Sequence, residues 1–135
     1  MSAPLSGDLL IKAFRRPASL GTWNEEAWQA LLDVARYNTL LPKLWASIDR
    51  VGILSETPEK AAILLQEAVQ PVLHKQTLIR FEIDRVRRAL AHLEVAIVLL
   101  KGAAYLVAEL PTAKGRSMVD LDILVPREKI STIET

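Results

Sequence analysis

Cysteine is absent from the 135 residues, which excludes disulfides, thiolate metal sites and a cysteine nucleophile. Aromatic side chains are scarce, at 5% of the chain against 50% for all hydrophobic residues. The apolar content is therefore mostly Ala, Leu, Ile and Val, a balance that favours packed helices. Charge of one sign is missing too. With 17 basic and 16 acidic residues the formal charge is +1, and no long-range field directs the chain to nucleic acid or an anionic membrane. The apolar run Val95 to Leu100 falls far short of the ~18 residues of a membrane span, and MSAPLSGDLL has no basic segment followed by a long apolar one. No membrane partner is expected, and the expected location is cytoplasmic.

What is present is helical periodicity followed by a change of period. Residues 5 to 15 read as a short helix, with Leu9, Leu10, Ala13 and Phe14 on its apolar edge before Arg16-Pro17. Thr22 or Asn24 can cap a second helix whose stripe is Trp28, Leu31, Leu32 and Ala35. Tyr37-Asn38 breaks that pattern, and Leu40 to Val51 begins another helix, with Pro42 in its first turn and Leu41, Leu44, Trp45 and Ile48 facing inward. Trp23, Trp28 and Trp45 could be offered as a base-stacking platform, but aromatics at helical spacing in an apolar stripe read as core.

Thr57-Pro58-Glu59 opens the longest helical segment, with Thr57 as the N-cap and Pro58 at the first helical position. Ala62, Leu65, Val69, Val72, Gln76, Ile79, Ile83, Val86, Leu90 and Leu93 step by three and four without a slip, and only Gln76 among them is polar. The register agrees on both sides of Pro71, which predicts one nearly continuous, kinked helix. Such a stripe can pair two copies of the chain as a homodimer, although shorter helices upstream can also cover it, and the second reading is preferred. Arg80, Glu82, Asp84, Arg85, Arg87 and Arg88 mix both signs, as a solvated helix face does, so nucleic acid is not an expected partner. His74 and His92 have no ligand set for zinc around them, and no context exposes a serine nucleophile.

After Leu93 the pattern becomes a β-branched apolar run, Val95 to Leu100, that breaks at Lys101-Gly102 into a short helical pattern, Ala103 to Leu110. A second strand is predicted from Met118 to Val125. On it Asp120 and Asp122 share one face while Val119, Leu121, Ile123 and Val125 take the other. Paired carboxylates on a strand suit divalent cations, and two hard cations are what nucleotidyl transfer uses to bind a triphosphate and activate a hydroxyl. With no Cβ, Gly102 would let the chain turn sharply and leave the amides of Ala103 and Ala104 free to face an anion. Each feature has a plainer reading: the acids as an exposed strand face, Lys101 as a surface charge, Arg116 as a counter-ion to the acids, Lys114 and Gly115 as turn residues.

The order strand, Lys-Gly, short helix, loop with an Arg, then Asp-x-Asp on a strand resembles the nucleotidyltransferase fold of the DNA polymerase β superfamily. More narrowly, LLKGAAYL and GRSMVDLDILVP resemble a bacterial group of uncharacterised nucleotidyltransferases. The helical stretch WQALLDVARYNTLLPKLWASI resembles the region in front of that group's core. The superfamily turn usually carries Gly-Ser or Gly-Gly, whereas here Lys101 precedes Gly102 and Ala103 follows it, so a serine hydroxyl for phosphate is missing. The gap from Gly102 to Asp120 is also longer than in minimal members.

The resemblance implies transfer of a nucleoside monophosphate from an NTP to an acceptor hydroxyl not identified by the residues. Asp120 and Asp122 would hold two Mg²⁺, or Mn²⁺, and Lys101, Gly102, Ala103 and Arg116 would meet the nucleotide. The superfamily takes a third carboxylate from a later strand, and no candidate acid stands here after Asp122 on such a strand. The chain is accordingly read as the start of a longer protein, inactive by itself. The expected class is α+β: a helical region, residues 1–94, followed by an incomplete nucleotidyltransferase-like core, residues 95–135. The alternatives are a non-catalytic helical interaction module, and an antitoxin-type nucleotidyltransferase that modifies a protein partner.

Overall fold

The helical stripes in the sequence become helices at nearly the expected places. A computed structural model describes residues 3–118 and 120–134. The chain is α+β: helices α1 (Ala3–Arg15), α2 (Glu25–Tyr37), α3 (Leu41–Val51) and α4 (Glu59–Leu90) come first. They are followed by β1 (Val98–Leu99), α5 (Lys101–Val107), β2 (Ile123–Leu124) and α6 (Ile130–Glu134). Among the described residues no helix is long and apolar enough to cross a membrane.

The chain divides into two compact units, Met1–Pro71 and Val72–Thr135. The sequence reading sets the boundary at residue 94, where the apolar period changes. The second half of α4 gives Ile79 and Ile83 to the core of the later residues. Pro71 lies inside α4 and the helix continues through it, as the shared register on its two sides predicts.

In the first unit, Trp28, Leu31, Leu32 and Ala35 form the buried face of α2, and the stripe that predicted them is the one observed. Asn24 is the residue that caps this helix, its Oδ1 accepting from the Ala27 amide at 2.8 Å. Thr22 instead donates to the Ser19 carbonyl. Helix α3 ends at Gly52 with φ 74°, a left-handed residue whose N–H donates to the Ile48 carbonyl at 3.1 Å. Leu20, Leu31, Leu44, Ile48 and Leu65 are entirely withdrawn from solvent, with Trp23 and Trp45 partly buried against them. All three tryptophans are thus core residues. Helix α4 begins at Glu59, and the buried Thr57 hydroxyl before it donates to the Ile53 carbonyl at 3.1 Å.

In the second unit, Ile79, Ala103, Leu106, Ala113 and Met118 make a small core, flanked by Ile83, Tyr105 and Leu121. Strands β1 and β2 pair antiparallel with Val98 opposite Leu124 and Leu99 opposite Ile123. The Leu100 amide donates to the Asp122 carbonyl at 3.1 Å and carries the pairing one residue further. Both strands are shorter than the expected Val95–Leu100 and Met118–Val125. Strand hydrogen bonds exist only where two segments meet, and the local apolar pattern does not encode that meeting. Ile97, Leu99, Leu121 and Ile123 border an apolar cavity of about 410 Å³ beside Ile83 and Val86 of α4. Val98 and Leu124, on the other side of the ribbon, are exposed. Val119, expected on the apolar face, lies outside the described residues.

Candidate functional site

The chain passes from β1 into α5 at Lys101, whose φ of 55° is left-handed. For an L-residue with a side chain that conformation costs roughly 1–2 kcal/mol, so glycine is the residue expected there. The glycine stands one place later for a different reason. Gly102 is absent from the positive-φ residues, and a Cβ on it would lie 3.2 Å from Met118 Cγ and 3.3 Å from Arg116 Nε. The sharp turn attributed to Gly102 is therefore made by Lys101, and Gly102 permits the loop carrying Arg116 and Met118 to approach the helix. Gly102 and Ala103 are buried, and the Arg116 and Met118 side chains lie against Gly102.

That loop is tied down from α4. Gln76, the single polar residue in the long apolar seam, donates through Nε2 to the carbonyls of Ala113 at 2.7 Å and Arg116 at 3.1 Å. The Arg116 guanidinium lies 5.1 Å from the centre of the Tyr105 ring, within cation–π range. Gly115, with φ 69°, supplies the left-handed step just before it. Arg80, expected on a solvated face, donates through Nη2 to the Leu106 carbonyl at 3.1 Å and so caps the last turn of α5. The interrupted seam marked Gln76 in the sequence, whereas Arg80 carried no signal that set it apart from its charged neighbours.

Replacing Gln76 with glutamate would aim a carboxylate at two carbonyl oxygens. The expected result is a loss of about 1–3 kcal/mol and faster hydrogen exchange at the Lys114 and Arg116 amides. Unchanged exchange there would show that Gln76 does not hold the loop.

The acids divide between two settings. Asp122 accepts an ion pair from Lys101, Nζ to Oδ2 at 3.0 Å, with both side chains substantially exposed. The counter-ion that the sequence suggested, Arg116, is on Tyr105 instead. Asp120 is exposed and borders a shallow depression shared with Lys75 and Glu82 of α4. Neither acid lies within the two-residue strand β2, although the bond from Leu100 holds the Asp122 peptide against β1. Among the described residues no group of three or more His, Cys, Asp or Glu side chains is arranged to hold a metal. Two accessible carboxylates nonetheless suit a hard cation of the Mg²⁺ type, which typically binds through one or two carboxylates and takes its other ligands from water and substrate phosphates.

Lys101, Gly102, Ala103 and Arg116 are thus brought to one turn, and Asp122 is joined to it by main chain and side chain. No curated protein and no solved structure gives a significant match. A family model described as uncharacterised nucleotidyltransferase matches residues 24–135, which include three of the first four helices, the Lys-Gly turn and both acids. On that match, the chain belongs to the uncharacterised nucleotidyltransferase family.

Proposed function

We propose that this chain carries part of a metal-dependent nucleotidyltransferase site, one that moves a nucleoside monophosphate from an NTP to an acceptor hydroxyl and releases pyrophosphate. The observation that supports this most is the joining of turn and acid: Lys101 Nζ stands 3.0 Å from Asp122 Oδ2, while the neighbouring Leu100 amide bonds the Asp122 carbonyl. One cationic and one anionic group therefore address the same small region from adjacent segments. Asp120 and Asp122 are the residues that would hold Mg²⁺ or Mn²⁺. Bound there, such a cation supplies positive charge for the reacting phosphate and acidifies the acceptor hydroxyl.

The remaining roles belong to the protein. Lys101 meets the triphosphate as a mobile point charge on an exposed stem. Arg116 leaves the Tyr105 face to form a planar, bidentate contact with a phosphate. Gln76 keeps the Arg116 backbone in place while its side chain changes partner. An NTP substrate fits a cytoplasmic location. The acceptor is a hydroxyl of a small molecule or of a protein, the latter being the antitoxin-type form of the same chemistry.

A second reading has its own support. With Lys101 already neutralising Asp122, and no group of three metal-ligating residues among those described, the same geometry serves a non-catalytic module that uses the motif for packing or for pairing through α4. The two readings separate in a thermal melt. On the transferase reading, millimolar Mg²⁺ or Mn²⁺ with ATP raises the melting temperature by several degrees, as mass action requires for a ligand of the native state, and Asp122→Ala abolishes the rise. A melting temperature indifferent to metal, to ATP and to the substitution would select the module.

A further inference from the structure

Lys101 combines two features that do not belong together in a merely solvated lysine. Its backbone is in the left-handed region at φ 55°, where glycine or asparagine would be less strained. Its ammonium lies 3.0 Å from the carboxylate that the proposed reaction needs as a metal ligand. The adjacent glycine does not relieve the turn, because residue 102 must be small to accept Met118 and Arg116. A charged stem is thus placed at a strained position and directed onto Asp122, with nearly three-quarters of the lysine side chain exposed and free to take another course.

From this we infer that Lys101 is a built-in competitor for the metal: it occupies Asp122 in the empty protein, is displaced when a divalent cation binds, and then carries its charge to the incoming triphosphate. The inference rests on the reading of Asp122 as a metal ligand given above. The ammonium takes a lone pair of Asp122 Oδ2 and sets a positive charge beside any cation on that carboxylate, so lysine and metal oppose each other there even though Oδ1 remains as a second ligand atom. Exchange of one for the other also removes the need for Asp122 to stand unpaired in the absence of substrate. The consequence is coupling: metal frees the lysine, the lysine favours the nucleotide, and by reciprocity the nucleotide favours the metal.

The test uses Lys101→Met in the full chain. Methionine keeps an unbranched stem at the same backbone position and removes only the charge. Binding of Mn²⁺, followed by the electron paramagnetic resonance signal of the free ion, is expected to become tighter by up to about fivefold, the upper end of the range set by an exposed ion pair. Binding of a fluorescent ATP analogue in the presence of Mn²⁺ is expected to become weaker. Lys101→Asn, which tolerates the left-handed backbone, should reproduce both effects and so separates charge from strain. Mn²⁺ affinity that is unchanged or lowered in both variants, with Asp122→Ala still abolishing it, overturns the competition and leaves the metal reading intact. If no form of the protein binds Mn²⁺, the metal reading falls first and the competition with it.

Discussion

Gly102→Val is expected to cost the second unit about 2–3 kcal/mol, in the range found when extra atoms are forced into a packed site. Even a bare Cβ would stand 3.2 Å from Met118 Cγ and 3.3 Å from Arg116 Nε, and the two methyl groups of valine extend beyond that point. Alanine could be absorbed by a small shift of two flexible side chains, but valine requires the loop to lift. The second core is small, with Ile79, Ala103, Leu106, Ala113 and Met118 at its centre, so displacement of Met118 removes a sizeable share of it. For a unit of this size each kcal/mol lowers the melting temperature by roughly 4–8 °C. The loss should appear in far-ultraviolet circular dichroism and in the Tyr105 ring resonances. A valine variant that melts with the parent protein would show that the close approach is not required.

The complementary loss is expected from Leu44→Ala. Leu44 is fully buried in the first unit among Leu31, Ile48 and their neighbours, and it lies on the face of α3 turned to the core. Truncating such a leucine costs about 2–5 kcal/mol, depending on how far the cavity collapses. Trp23, Trp28 and Trp45 all stand in residues 1–71, so tryptophan emission is a natural reporter of that unit alone. The Leu44→Ala transition should be displaced to lower temperature in emission by ten degrees or more, on the order of the change that such an energy implies. Gly102→Val should leave the emission transition less affected than the dichroism. Equal displacement of both signals by both substitutions would mean that the units do not unfold separately.

The helices were legible because their information is local. Trp28, Leu31, Leu32 and Ala35 repeat at the helical period, and those four residues are buried. Most of the α4 seam was readable for the same reason, and its one irregularity, Gln76, marks the loop tether. The features that escaped depend on partners distant in sequence. Nothing near Thr57 indicates that its hydroxyl turns back to Ile53, and nothing near Arg80 indicates that it reaches Leu106. The strands were too long in expectation because apolar β-branched residues favour extension, while pairing stops where the other segment departs. The Lys-Gly dipeptide located the turn correctly, but glycine can answer either a torsional or a spatial demand, and the two are told apart by Lys101 taking the left-handed torsion while Gly102 lies against Met118 and Arg116. The two acids stand close in sequence, but their separate neighbours, Lys101 for Asp122 and the Lys75–Glu82 side of α4 for Asp120, have no local signature.

The contact between Leu100 and Asp122 is made by peptide atoms, N–H to carbonyl at 3.1 Å. Any amino acid at position 122 other than one that distorts the chain can preserve it, because the acceptor belongs to every residue alike. A saturation library at this codon would therefore report the chemistry of the side chain with little interference from misfolding. Asparagine, glutamate and alanine there would separate charge, reach and bulk, a distinction seldom available at a position that also helps to hold its own strand.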